Sequence, residues 1–302
     1  MDYDVIIAGG GCAGLTAAIY SARAGMECAV LEAKNAGGQI VSAPEVENYP
    51  ALPKISGAEF GKQLLNQAQS FGAKIIYRRA ESFEIKQSFF NVLTSDKIYS
   101  AKALIIASGV KRRKLNVIGE DRLLGRGVSY CAVCDGMFFK NKTVCVAGGG
   151  NSALEDTLYL SDICKKVYLI HRRNEFRAES IVTDALKGKN NIEYVLNNVV
   201  ESVNGSSFVT GVTVKDVKSG TKTKINADAL FVAIGKIPDT GPIINLLENK
   251  DGYIVTDSNM QTSVNGIFAA GDCRLSKVKQ LTTATSDGTL AALAAAEYIK
   301  KL

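Results

Sequence analysis

The chain has 302 residues, and 36 Lys+Arg against 30 Asp+Glu give a net charge of +6. At 46% hydrophobic and 22% charged it reads as an ordinary globular chain of about two domains. No Lys/Arg block of five occurs, which argues against nucleic acid, and no apolar run reaches the ~18 residues of a membrane span. The best candidate for such a run, residues 290–299, is short and contains Glu297. Met-Asp-Tyr-Asp leads into an apolar run with no basic segment before it, so a cytoplasmic location is the expectation. Seven cysteines in such a chain are not a disulfide scaffold, and only Cys131 and Cys134 are closely spaced.

Tyr3–Ala8 reads as a buried strand. Gly9-Gly10-Gly11-Cys12-Ala13-Gly14 follows and fits G-x-G-x-x-G at Gly9, Gly11 and Gly14. An Ala-rich helix over 15–24 and a strand Cys28–Leu31 come next, ending at Glu32. Small residues let the backbone approach a pyrophosphate, and the helix N-terminus adds free N–H groups and positive potential. Glu32 suits a ribose with a free 2'-hydroxyl. The competing reading is a plain glycine-rich turn, but strand, glycines, helix, strand and acid stand in order within about 30 residues.

The pattern returns at 143–171. A strand over 143–147 precedes Gly148-Gly149-Gly150-Asn151-Ser152-Ala153, then a helix over 153–161 and a strand over 167–170. Gly9 and Glu32 stand 23 residues apart, and so do Gly148 and His171. Where the first unit carries an acid, the second opens His171-Arg172-Arg173, with Arg177 following. Guanidinium groups at that register grip a 2'-phosphate, so the second site reads as one for NADP(H), with a solvated basic face as the bland alternative.

Each unit closes alike, with apolar runs at 103–109 and 229–235 preceded by short alternating strands near 82–94 and 202–217. A further strand, 266–272, ends in Gly271-Asp272 before an Ala-rich helix over 287–299. The expected fold class is α/β: two Rossmann-like (three-layer ββα) nucleotide-binding domains, the second inserted into the first. Crossings near 111–114 and 236–242 give segments 1–112, 113–242 and 243–302, the outer two forming one domain.

Cys131-Ala132-Val133-Cys134-Asp135-Gly136 lies just before the second glycine turn. Zinc needs about four ligands, and neither a second CxxC nor a free histidine is present. A thioredoxin fold would place a proline opposite the cysteines, yet none occurs between Pro53 and Pro238. A reversible disulfide beside a flavin fits two nucleotide sites best, with two buried thiols as the bland alternative. Asp135 is the best-placed proton donor, with a simple turn aspartate as competitor.

Together, Arg126-Gly127-Val128-Ser129, Cys-Ala-x-Cys-Asp-Gly, Gly-Gly-Gly-Asn-Ser-Ala and His-Arg-Arg-x-x-x-Arg resemble the bacterial low-molecular-weight thioredoxin reductases over nearly the whole chain. Gly37-Gly38-Gln39, Glu47-Asn48-Tyr49-Pro50 and Gly271-Asp272 match too. The resemblance implies an NADPH-dependent thioredoxin-disulfide reductase with bound FAD, NADPH as donor, thioredoxin or a thioredoxin-like protein as acceptor, and a homodimer. It implies that Cys134 faces the flavin C4a, Cys131 attacks the substrate disulfide and Asp135 is the acid–base residue. FAD contacts carry over to Gly9, Gly11, Cys12, Ala13, Gly14, Glu32, Ala33, Gly38, Gln39 and Asn48. They continue with Ala107, Ser108, Gly109, Gly271, Asp272 and Gln280, the last near the ring. NADPH contacts carry over to Gly148, Gly150, Asn151, Ser152, Ala153, His171, Arg172, Arg173 and Arg177; no metal is implied. The family also implies that the inserted domain rotates about the two crossings. Cys12 stands where proline is frequent, and Lys279 where arginine is common. Relatives serving ferredoxin or flavodoxin lack the CxxC, and ferredoxin-fed or oxygen-using relatives tend to lose the NADPH motifs; a non-catalytic scaffold would need neither.

Overall fold

A computed structural model describes residues 1–43, 45–178 and 180–302. The chain forms two compact units: residues 1–111 with 237–302, and residues 112–236. The return crossing lies at Lys236, at the near end of the 236–242 stretch read from the sequence and short of the segment boundary set at 242, because the following residues are already tied to the first unit. Asp239 N–H donates to Gly109 O (3.0 Å), and Ile243 is buried in that unit's core.

In the first unit the strand order is Lys74–Ile76, Cys28–Leu31, Tyr3–Ala8, Ile98–Ile106, Phe90–Leu93, Ser82–Ile85, and Ile267–Ala269 also pairs with Ile98–Ile106. Tyr3–Ala8 runs parallel to both its neighbours, with Val5 opposite Cys28 and Ala103. A strand flanked on both sides must be apolar on both faces. Val5 and Ile7 pack with Leu15, Phe268 and Ala291 under the helices Cys12–Arg23 and Leu281–Lys300. Ile6 and Ala8 face the other way, with Phe83, Val92 and Ile254.

The second unit repeats the plan. Its parallel sheet runs Ile192–Leu196, Lys166–His171, Thr143–Gly148, Ala229–Ala233, Val128–Ser129. One face carries the helix Asn151–Ile163 over Val144, Val146, Leu169 and Phe231. The other carries an antiparallel sheet, Asn198–Asn204, Gly211–Asp216 and Lys222–Ile225, which covers Cys145, Ala147, Ile170 and Leu230. The two units differ at one point. In the first, the continuous strand Ile98–Ile106 serves both meander and parallel sheet. In the second, Asn226-Ala227-Asp228 breaks that path, and Asp228 turns back to bind the Thr143 N–H with its carboxylate (3.0 Å).

The helices after both glycine turns start earlier than the sequence indicated, at Cys12 and Asn151, because Gly11 and Gly150 are themselves the N-caps. The last helix starts at Leu281 rather than 287, since Gln280 and Thr283 form a reciprocal capping box. Among the described residues no helix is long and apolar enough to cross a membrane.

Candidate active site

The first glycine turn is closed to side chains on its inner face. A Cβ on Gly14 would meet Gly9 O at 1.8 Å, and one on Gly9 would meet Ala107 O at 2.4 Å. The outer edge is open: a Cβ on Gly11 would meet only Gly38 Cα, at 3.9 Å. No side chain caps the helix that follows, so its first N–H groups remain available to an anion. Glu32 reaches back over the turn, its Oε2 accepting from Gly10 N–H (2.7 Å) and its Oε1 from Lys34 N–H (2.8 Å).

A cleft of about 110 Å³ opens beside this turn, lined by Gly9, Glu32, Ala33 and Ser108 among others. Ser108 Oγ is buried with no nitrogen or oxygen partner among the described residues, which marks a place for a polar ligand atom. The cradle therefore fits a dinucleotide. Arg79, Ala80, Phe83, Asp239 and Ile243 also line the cleft and were not identified from the sequence, because they come from distant loops and strands. Gly38 and Gln39 lie on a short turn against Gly11, and Gln39 Nε2 donates to Val110 O (2.8 Å). Asn48 borders a separate hollow of about 440 Å³ formed by residues 47–53. Ala107 and Gly109 flank Ser108 just after the closing strand Ile98–Ile106, with Gly109 at φ 67. Gly271 and Asp272 form a turn that packs on Ala13.

Cys12, at the first position of that helix, is buried, and burial pushes its thiol up to about 12. Burial likewise raises Cys28 and Cys164 to about 11, and Cys145 and Cys273 in the same direction. All five are free, buried thiols, as fits small packing residues.

In the second unit a Cβ on Gly148 would meet Ala233 O at 2.4 Å, while Gly150 faces open space and its helix again has no side-chain cap. Asn151 and Ser152 begin that helix, and Ala153 packs against Gly148. His171 is buried rather than presented to solvent. Its ring lies over Gly149, where a Cβ would meet Nδ1 at 2.1 Å, and its Nε2 pairs with Glu175 O (3.1 Å). Burial lowers its proton affinity, so the ring is a neutral post for the loop that follows. Arg177 is drawn onto the turn by its own backbone, N–H to Gly149 O (2.8 Å). Arg172 and Arg177 are exposed and Arg173 half-buried. None of the three guanidinium groups pairs with a carboxylate among the described residues. That cluster fits a phosphate monoester beside an open helix N-terminus.

Cys131 and Cys134 form a disulfide spanning the short helix Ala132–Asp135, Cys131 being its N-cap. Cys131 Sγ accepts from Cys134 N–H (3.2 Å). Cys134 is exposed and Cys131 half-buried. Ser129 organises the site: its Oγ donates to Asp135 Oδ2 (2.5 Å) and accepts from Cys131 N–H (3.0 Å). Burial raises the proton affinity of Asp135, opposed by the Ser129 bond and the Arg112 charge. Such a carboxyl is suited to proton transfer beside a thiolate. Val133, Met137 and Phe138 stand exposed next to the pair, an apolar surface whose only signal in the sequence was the Met-Phe-Phe run.

The description "Pyridine nucleotide-disulphide oxidoreductase" matches residues 3–288. The chain is 45% identical over 303 residues to the thioredoxin reductase of Treponema pallidum, covering 100% of this chain and 98% of that one. It is 42% identical to the Listeria monocytogenes thioredoxin reductase, covering 99% and 95%. The crystal structure of thioredoxin reductase from Streptococcus pyogenes superposes with a TM-score of 0.96 at 38% identity, covering 99% of each chain. Two glycine cradles of one plan, a redox-type cysteine pair and these matches make the chain a member of the pyridine nucleotide-disulphide oxidoreductase family.

Proposed function

We propose that the chain carries electrons from NADPH, through FAD, to the disulfide of thioredoxin or a thioredoxin-like protein by way of Cys131 and Cys134. The observation that carries this reading is the Cys131–Cys134 disulfide beside Asp135, whose proton affinity burial raises, in the same unit as an arginine-bearing glycine turn. Bound flavin supplies the two-electron relay between a hydride donor and a disulfide.

In this reading residues 1–111 with 237–302 hold FAD and residues 112–236 hold NADPH. The open edge at Gly11 and the uncapped N–H groups at Cys12 and Ala13 face the pyrophosphate, Glu32 the ribose, and Ser108 and Asp272 further polar atoms of FAD. Gly150, Asn151 and Ser152 take the NADPH pyrophosphate; Arg172, Arg173 and Arg177 take its 2'-phosphate, with His171 holding their loop. Two electrons and two protons convert the disulfide to a dithiol. The Cys131 thiolate then attacks the partner's disulfide, Asp135 supplies a proton to a departing thiolate, and Cys134 attacks Cys131 to release the reduced partner. Val133, Met137 and Phe138 offer that partner an apolar contact.

The cysteines and the NADPH turn share one unit, so both reach FAD if residues 112–236 rotate about the crossings at 111/112 and 236/237. A cytoplasmic homodimer completes the reading, on the resemblance to the thioredoxin reductases.

Anaerobic titration with NADPH and with NADH, followed by flavin absorbance, tests it. Bleaching by NADPH alone, with more than one electron pair taken up per flavin, is the expected result. Bleaching by neither overturns NADPH as donor and brings forward a ferredoxin-fed or oxygen-using reductase.

A further inference from the structure

A charged pair lies buried in the first unit, behind the start of the helix that follows the glycine turn. Arg274 Nε and Nη2 donate to Asp287 Oδ2 (2.6 Å) and Oδ1 (2.9 Å), a two-pronged fork. The side chains are only 18% and 8% exposed. Asp287 Oδ2 also accepts from Gly271 N–H (3.0 Å). One carboxylate in the second turn of the last helix thus grips the first residue of the turn Gly271–Cys273 and the residue after that turn.

The same turn is held from two further sides. Lys279 Nζ donates to Asp272 O (2.8 Å) and Arg274 O (3.0 Å). Cys273 Sγ lies 3.3 Å from the Ile106 and Ala270 carbonyls. Ala13, in the first turn of the helix after the glycines, is where these parts converge. A Cβ on Gly271 would stand 2.9 Å from Ala13 Cβ, and one on Gly288, next to Asp287, would stand 2.2 Å from Ala13 O.

A buried ion pair adds little stability over an apolar pair of the same size, because both charges lose their water. What it can add is fixed geometry, and this pair fixes the backbone on either side of Asp272. We propose that Asp287 and Arg274 are positioning residues for the flavin nucleotide, holding the Asp272 turn in register with the Cys12–Ala13 helix start. The inference rests on the assignment of FAD to the first unit. The clamp acts through the Gly271 N–H and the seat on Ala13.

The test is the full-length Asp287→Asn protein, with FAD release and rebinding followed by fluorescence and the absorption envelope recorded. Asparagine keeps the shape and the acceptor for Gly271 but leaves the guanidinium without its counter-charge. The Kd for FAD is expected to rise tenfold or more, with a shifted envelope. An apolar replacement, Arg274→Met with Asp287→Leu, is expected to restore the melting temperature of the FAD-free chain but not the affinity. If Asp287→Asn does not fold, Arg274→Lys, which keeps the charge and loses the fork, carries the same measurement. A Kd within twofold of the parent and an unchanged envelope, or recovery of affinity in the apolar pair, would overturn the proposal and leave the clamp a purely structural contact. A parent protein that binds no FAD in this titration overturns the assignment of the first unit and the proposal with it.

Discussion

Ser129 Oγ donates to Asp135 Oδ2 across 2.5 Å while accepting the Cys131 N–H, so one hydroxyl holds both the carboxyl and the backbone of the first cysteine of the pair. Burial pushes the Asp135 proton affinity up, and the Ser129 bond pulls it down by favouring the carboxylate. Ser129→Ala therefore leaves Asp135 holding its proton to higher pH. Since the protonated form is the donor, the alkaline limb of the pH–kcat/KM profile is expected to move up in pH. Asp135→Asn is expected to cost about 10²–10⁴-fold in thioredoxin reduction. An unmoved alkaline limb in Ser129→Ala would remove Asp135 from the proton path.

Cys134→Ser breaks the Cys131–Cys134 disulfide and leaves the first unit untouched. Disulfide reduction is expected to vanish while FAD remains bound, and the anaerobic titration is expected to take up one electron pair fewer per flavin. Normal turnover in this variant would sink the proposed route.

The arginines at 172 and 177 are exposed and free of carboxylates among the described residues. Their joint replacement by alanine is expected to raise the KM for NADPH by about 10–100-fold, from a loss of about 1.5–3 kcal/mol per charged hydrogen bond discounted for solvent. The KM for NADH should stay where it was. An equal loss with both nucleotides would show that the cluster does not read the 2'-phosphate.

Gly14→Ala places a carbon 1.8 Å from Gly9 O, a backbone atom that cannot step aside. A loss of about 3 kcal/mol is expected, at the upper end for overpacking, along with loss of FAD. Gly241→Ala, where the added carbon meets nothing within 4 Å, is the control and should melt with the parent. Equal melting of the two variants would contradict the closeness of the cradle.

Burial raises Asp156 from 3.8 to about 6, with Lys236 opposing and Glu155 adding. A carboxyl with a raised folded value contributes its stability below the unfolded value and loses it as pH climbs through about 6. Asp156→Asn is therefore expected to match the parent near pH 4 and to exceed it by roughly 1–2 kcal/mol at pH 8. Denaturant melts at the two pH values check the sign.

The repeat was legible in the sequence because backbone chemistry dictates it: a turn that approaches a pyrophosphate needs glycine, and a strand inside a parallel sheet needs apolar side chains on both faces. The 23-residue register put Glu32 just past one strand, which ends at Leu31, and His171 at the last residue of its counterpart. It could not show that the His171 ring falls on Gly149, since that depends on the 172–177 loop folding back. Arg79 and Phe83 reach the cleft through tertiary packing alone. Asp287 looked like one more residue of an Ala-rich helix, and its meaning came only with Arg274 and Gly271 beside it. The split at 226–228 was hidden for a similar reason: both units show the same alternating pattern, and only the pairing of Asp228 with Thr143 parts them.

The burial of Cys12, Cys28, Cys145, Cys164 and Cys273 turns the folded chain into its own electron counter. Thiol reagents attack thiolates that they can reach, and these five offer neither access nor ionisation. Native-state maleimide labelling should then read zero in the oxidised protein and two after reduction, with no cysteine removed by mutation. Five further labels should appear only on unfolding, so one mass spectrum reports both the redox state of the pair and the integrity of the fold around it.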